Sequence, residues 1–190
     1  MHLTLDQLLQ DGWCLIGALW IGSSAFSRPV RHTEGLAARL VQFIGGAIAL
    51  ALYFYPRLPV GPLNRQLLPH SLVTIIVGSA FCLLGWALAI WARLCLANNW
   101  SASVTLKQGH TLVQRGPYAA IRHPIYSGLL LALLGTAMVQ GLTRSFVGLL
   151  LLTALWLTKA DAEEQLLRSA FGDVYSGYQA RTGALLPRLR

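Results

Sequence analysis

Residues 116–128 read "GPYAAIRHPIYSG". Two tyrosines, an arginine and a histidine are crowded together there, immediately ahead of an apolar run. Pro124 pushes His123 toward an extended conformation. It also suits the first turn of a following helix, where its missing N–H costs nothing. A helix is therefore expected to begin at Pro124. His123 then lies at its entrance with its direction fixed, Tyr126 falls in the first turn, and Gly128 opens space beside it. Two readings follow: a rigid corner that holds a ligand, or a proline-started membrane helix with an interfacial tyrosine. The residues alone leave both open.

Outward from this corner the chain is mostly apolar. It has 190 residues, enough for one domain. Apolar residues make up 55% and charged residues 12%, whereas a soluble domain carries about 25% charged residues. Stretches without Asp, Glu, Lys or Arg cover 12–27, 40–56, 66–92, 123–143 and 145–158. A spanning helix needs about 20 residues, with a lower limit near 17. The third stretch clears this easily, the second and fourth are marginal, and the first and fifth are short. The link "QGLTR" between the last two permits only a helical hairpin. The expected fold is an all-α integral membrane protein with about five transmembrane helices.

Charge placement supports that reading. With five spans, one side carries Arg28, Arg31, Arg39, Arg93, Lys107, Arg115, Arg122, Lys159, Arg168, Arg181, Arg188 and Arg190. The other carries Arg57, Arg65 and Arg144. This bias places the C-terminus in the cytoplasm by the positive-inside rule. Trp13, Trp91, Trp100 and Trp156 fall near span ends, where interfacial anchors are expected. "YPRLPVGPLNRQLLP" reads as a plain external connector. The net charge of +8 does not point to nucleic acid, because the basic residues are scattered and form no stripe. Cys14, Cys82 and Cys95 are read as small buried hydrophobes. The opening "MHLTLDQLLQDGW" lacks a basic n-region and contains Asp6 and Asp11, so it is not expected to be a cleaved signal.

Polar residues collect in two blocks on the basic side. The first runs "NNWSASVTLKQGHTLVQRGPYAAIRHPIYSG". Two β-prone triplets flank "KQGH" in it, which fits a small hairpin or extended strips. The second, "KADAEEQLLRSAFGDVYSGYQARTGALLP", continues the last apolar helix. Lys159 and Glu163 are four apart there and share a helical face.

"GHTLVQRGPYAAIRHPIYSG" followed by "EEQLLRSAFGDVYSGYQARTGALLP" resembles the isoprenylcysteine carboxyl methyltransferase family of integral membrane enzymes, and the related phospholipid methyltransferases. The likeness covers residues 99–187. It implies a cofactor-binding region over 99–190, with the hairpin and C-terminal helix, following N-terminal membrane helices over 1–98, all in one structural domain. It also implies S-adenosylmethionine in a pocket at the cytosolic membrane surface, reached by lipid substrates from the bilayer. Matching positions implicate His110, Thr111, Leu112 and Val113 as a strip along the cofactor. Tyr118, His123, Pro124, Ile125 and Tyr126 would contact it from the corner, and Glu163 from the last helix. In the methyl esterase branch an arginine stands four residues ahead of that glutamate and orients the substrate carboxylate. Here the position is Lys159, which keeps the charge but loses the planar two-pronged donor. Lys159 is thus the candidate catalytic residue, or a basic residue ending a span. Arg122 is either a cofactor or phosphate contact or a surface anchor, and the anchor is the simpler reading.

The expected activity is methyl transfer from S-adenosylmethionine to a lipophilic small molecule or membrane lipid, with carboxylate O-methylation as the first choice. Amine N-methylation of a phospholipid, a nicotinamide-dependent membrane reductase and a non-enzymatic scaffold are the alternatives. The five histidines do not cluster in sequence, so no metal partner is expected.

Overall fold

The computed structural model describes residues 5–24, 35–55, 58–96 and 112–188. Six α-helices occupy most of this: α1 (Leu5–Ser24), α2 (Leu36–Phe54), α3 (Leu72–Leu96), α4 (Pro124–Gln140), α5 (Thr143–Phe171) and α6 (Asp173–Arg181). Among the described residues there is no β-strand, only two isolated bridges. The proposed hairpin around "KQGH" lies outside the described residues.

Among the described residues three helices, α2, α3 and α5, are long and apolar enough to cross a bilayer. α4 is apolar but has 17 residues, and α1 carries Asp6 and Asp11. The chain is thus an integral membrane protein in which three helices meet the requirement for a span. The expected count of five is larger because stretches free of charge include helices that are too short or too polar to meet it. The third stretch, expected from residue 66, becomes helical only at Leu72. Ser71 caps that start: its hydroxyl accepts from the Thr74 amide at 3.2 Å, and its own amide donates to the Thr74 hydroxyl at 3.1 Å. This reciprocal arrangement satisfies donors that a helix N-terminus leaves open.

Residues 66–68 are held elsewhere. The amides of Leu67 and Leu68 donate to the Gly141 carbonyl at 2.7 and 3.1 Å, and the Thr143 amide donates to the Arg65 carbonyl at 3.0 Å. Arg144 is buried and donates to the Tyr55 carbonyl at 2.6 Å. The loop read as a plain connector is therefore knitted onto the α4–α5 turn. That turn is the expected helical hairpin. Gly141 has φ 64°, the left-handed region that glycine enters without a Cβ penalty.

α4 is the centre of the molecule, with α3 on one side and α5 on the other, and α2 packs on α5. The α3–α4 seam is made of small residues. Gly78, Cys82, Gly85, Ala89 and Ala92 on α3 are buried, as are Gly128, Ala132, Gly135 and Thr136 on α4. A Cβ on Gly128 would stand 2.6 Å from the Ala89 amide nitrogen and 2.7 Å from the Gly85 carbonyl oxygen. A Cβ on Gly135 would meet the Gly78 carbonyl, and the Cys82 amide nitrogen at 2.5 Å. The two backbones touch. Close approach of this kind is the usual source of helix association in lipid, where no hydrophobic drive operates between helices.

α1 crosses this layer through Trp13. Its ring meets Trp86 of α3 and Phe54 of α2 edge-on, with centroids 5.6 and 6.0 Å apart. Its indole N–H donates to the Thr136 hydroxyl of α4 at 2.9 Å. Trp13 is thus a packing centre and not the expected interfacial anchor, because its N–H finds a partner inside the bundle. Of the other expected anchors, Trp91 is exposed, Trp156 stacks on Tyr126, and Trp100 lies outside the described residues. Of the cysteines, Cys82 is buried as expected, Cys95 is half-buried, and Cys14 is exposed on α1.

Candidate functional site

The corner forms where residues 112–123 turn into α4. Gly116 has φ 60° and opens a short 3-10 turn over Gly116–Ala119. His123 is the N-cap residue of α4 with φ −120° and ψ 57°, and Pro124 is the first helical residue. Pro124 takes the helix position it prefers, while His123 keeps out of the helical region but is not extended as expected, its ψ falling short of the range a following proline favours.

Two aromatic rings then line up. His123 and Tyr126 are stacked, with centroids 5.5 Å apart and planes 7° from parallel. Tyr126 in turn stacks on Trp156 of α5, with centroids 5.6 Å apart. From α5, one turn beyond Lys159, Glu163 accepts a hydrogen bond of 2.7 Å from the Tyr126 hydroxyl. The second Glu163 oxygen stands 3.5 Å from His123 Nδ1.

Next to this pair is a second, more deeply placed one. Glu164 Oε1 accepts from Arg122 Nε at 2.7 Å and lies 3.1 Å from His123 Nε2. Glu164 Oε2 accepts from the Gln179 amide of α6 and lies 3.6 Å from the Arg168 guanidinium. A buried carboxylate is costly unless paired, and here it has four partners, drawn from the segment entering α4, from α5 itself and from α6. Burial opposes a charge on His123, but the neighbouring carboxylates of Glu163 and Glu164 outweigh it, and its pKa stands above the ordinary imidazole value.

The C-terminal segment closes over the same corner. The amides of Arg122 and His123 donate to the carbonyls of Gly183 and Ala184 at 2.8 and 3.0 Å. The Ser127 hydroxyl donates to the Leu185 carbonyl at 2.5 Å. Arg122 Nη1 donates to the Thr182 carbonyl at 2.5 Å. From α6, the buried Tyr178 hydroxyl donates to the Tyr118 carbonyl at 2.7 Å.

Of the residues named from sequence, His123, Tyr126 and Glu163 come together. Val113, Tyr118, Ile125 and Tyr126 meet in one apolar cluster with Ala92 of α3 and Trp20 of α1. Pro124 is buried as a helix start, and Leu112 is half-buried. Lys159 is half-buried on α5, one turn from Glu163. His110 and Thr111 lie outside the described residues. Arg122 is not the expected surface anchor: its side chain is 14% exposed and ion-paired. Sequence reading missed Glu164, Gln179 and the stacking role of Trp156. The signal for Glu164 was the doublet Glu163-Glu164, which faces the doublet Arg122-His123, two acceptors for two donors.

The set at the corner combines a carboxylate, an imidazole, a phenol and stacked aromatic faces. It suits a ligand that carries a positive centre, N–H or O–H donors and a flat ring. Among the described residues no group of three His, Cys, Asp or Glu could hold a metal ion.

The profile of the isoprenylcysteine carboxyl methyltransferase (ICMT) family matches residues 76–169, which hold α4, the corner and the Glu163-Glu164 doublet. The match takes in just under half of the chain. The protein-S-isoprenylcysteine O-methyltransferase of Schizosaccharomyces pombe is 35% identical over 113 residues, covering 56% of this chain and 47% of that protein. The cobalt-zinc-cadmium resistance protein CzcN of Cupriavidus metallidurans is 36% identical over 108 residues, 56% of this chain and 48% of its own. The chain thus spans about half the length of these relatives. A solved structure of the eukaryotic intramembrane Ras methyltransferase ICMT superposes with a TM-score of 0.52 at 25% identity. The superposition covers 80% of this chain and 51% of that one.

Proposed function

We propose that this ICMT-family protein is an S-adenosylmethionine-dependent methyltransferase acting at the membrane surface on a lipophilic acceptor. The observation that carries the reading is the meeting of Glu163 with the His123–Tyr126 stack, within the stretch that matches the family. Glu163 supplies an anionic acceptor for the amine or hydroxyls of the cofactor. His123, Tyr126 and Trp156 supply ring faces, and Val113, Tyr118 and Ile125 a dry wall behind them. The bound cofactor supplies a methyl group on a sulfonium, which an electron-rich acceptor attacks from behind. The chain's own part is to hold both partners and exclude water, which otherwise stabilises separated charges over the transition state.

The name of the Schizosaccharomyces pombe relative directs the acceptor toward the carboxylate of a prenylated cysteine. Lys159, one turn from Glu163, is the residue we assign to that carboxylate. Calorimetry on the purified protein separates the alternatives. S-adenosylhomocysteine is expected to bind, and NADPH is not; binding of NADPH alone overturns the reading. Methyl transfer to a prenylated cysteine, with none to a phospholipid amine, is the expected acceptor profile.

We also place the C-terminus and the site in the cytoplasm, from the bias of basic residues. A reporter fused after Arg190 is expected on the cytoplasmic side and one inserted at Pro62 on the outer side. Finding both on one side contradicts this topology.

A further inference from the structure

The adjacent carboxylates Glu163 and Glu164 differ in surroundings. The Glu163 side chain is 24% exposed and that of Glu164 8%. Both oxygens of Glu164 are engaged, by Arg122 and His123 on one and by Gln179 and Arg168 on the other. Among the described residues Glu163 accepts from one hydroxyl, that of Tyr126, and its approach to His123 Nδ1 is 3.5 Å, long for a hydrogen bond. One carboxylate is saturated and the other retains acceptor capacity.

We propose that Glu164 is a positioning residue: by gripping Arg122, His123 and Gln179 at once it turns the Nδ1 edge of His123 toward Glu163 and holds residues 182–185 across the corner, which leaves Glu163 as the carboxylate that meets the ligand. The assignment of a ligand rests on the methyltransferase reading above; the positioning geometry does not. The two ring nitrogens of an imidazole lie on opposite edges. Once Nε2 is tied to Glu164 and the ring face is stacked on Tyr126, the direction of Nδ1 is set. Arg122 extends the grip to the backbone, since the same guanidinium reaches the Glu164 carboxylate and the Thr182 carbonyl. The groups facing His123 are Glu163 and Glu164 from α5, Tyr126 from α4, the neighbouring Arg122, and the Ala184 carbonyl on the backbone amide. Its ring is therefore held between two anions, in keeping with its raised pKa.

The test follows the His123 ring in the full-length protein, labelled with nitrogen-15 histidine in detergent, and S-adenosylhomocysteine binding in the same samples. The His123 signal is identified by its loss in His123→Gln. Glu164→Gln is expected to lower the His123 titration midpoint by about one pH unit, the effect of removing a neighbouring opposite charge. It is also expected to weaken S-adenosylhomocysteine binding less than Glu163→Gln does. Glu164→Asp keeps the charge but shortens the reach, and its midpoint is expected between those of the parent and Glu164→Gln. If Glu164→Gln does not fold, Glu164→Asp carries the test. A midpoint equal to the parent's in either variant overturns the proposal, because position is what Glu164 is held to supply. So does a loss of binding in Glu164→Gln as large as in Glu163→Gln. If the parent binds no S-adenosylhomocysteine, the methyltransferase reading fails while the titration still decides the positioning role.

Discussion

Gly135→Ala is expected to separate α4 from α3 and to prevent a stable fold in detergent. The added methyl would enter the Gly78 carbonyl and the Cys82 amide of the facing helix. These are backbone atoms, so no rotamer change makes room. Overpacking of a filled core costs about 1–3 kcal/mol and occasionally more; with backbone on the receiving side the upper end is expected. Gly85→Ala should behave alike, since its methyl would meet the Gly128 carbonyl and the Ala132 amide. Gly46→Ala on α2 is the control. Nothing lies within 4 Å of its methyl, and alanine in a helix interior is favoured over glycine by about 1 kcal/mol. Thermal unfolding of the purified variants checks this. A Gly135→Ala protein that melts with the parent shows that the two backbones are not in contact.

Glu163→Ala is expected to lower affinity for S-adenosylhomocysteine by about 1.5–3 kcal/mol, the value of a hydrogen bond to a charged group. That is roughly a tenfold to hundredfold rise in Kd. The fold should persist, because Glu163 is not deeply buried and its protein partners, Tyr126 and His123, are held by Trp156 and Glu164. An unchanged Kd removes Glu163 from the ligand's reach.

The parts of this site that were legible in the sequence are those dictated locally. Pro124 has only one good place near a helix, so the start of α4 and the place of His123 just ahead of it followed from it. "QGLTR" is too short for anything but a hairpin, and Gly141 closes it. Glu163 and Lys159 share a face because four residues make about one turn. What escaped depends on contacts far apart in the chain. Glu164 points to α6 and to the corner, and the sequence separation from Gln179 and Arg122 carries no periodic mark. Trp13 has the composition of an interfacial anchor; the Trp86 and Phe54 rings and the Thr136 hydroxyl, all on other helices, make it a packing centre. The charge-free stretches and the three helices that meet the length and hydropathy of a span differ for a related reason. Absence of charge records what a bilayer tolerates, whereas helix length depends on caps such as Ser71 and on loops such as 65–68 that are tied to a distant turn.

The seam between α3 and α4 has a mechanical consequence. Helices that slide in a membrane do so by swinging side chains from one rotamer to another across the interface. Glycine and alanine have no rotamers to swing, and Gly78, Gly85, Gly128 and Gly135 leave the backbones in direct contact. α3 and α4 therefore behave as one stiff beam, with the His123 corner mounted on its end. α1 joins this beam through the Trp13 ring and α2 through Tyr53, whose hydroxyl donates to the Leu133 carbonyl of α4. His123 and Tyr126, at the mouth of α4, are thereby held in a fixed relation to α3, and only the α5 side of the corner is free of that constraint.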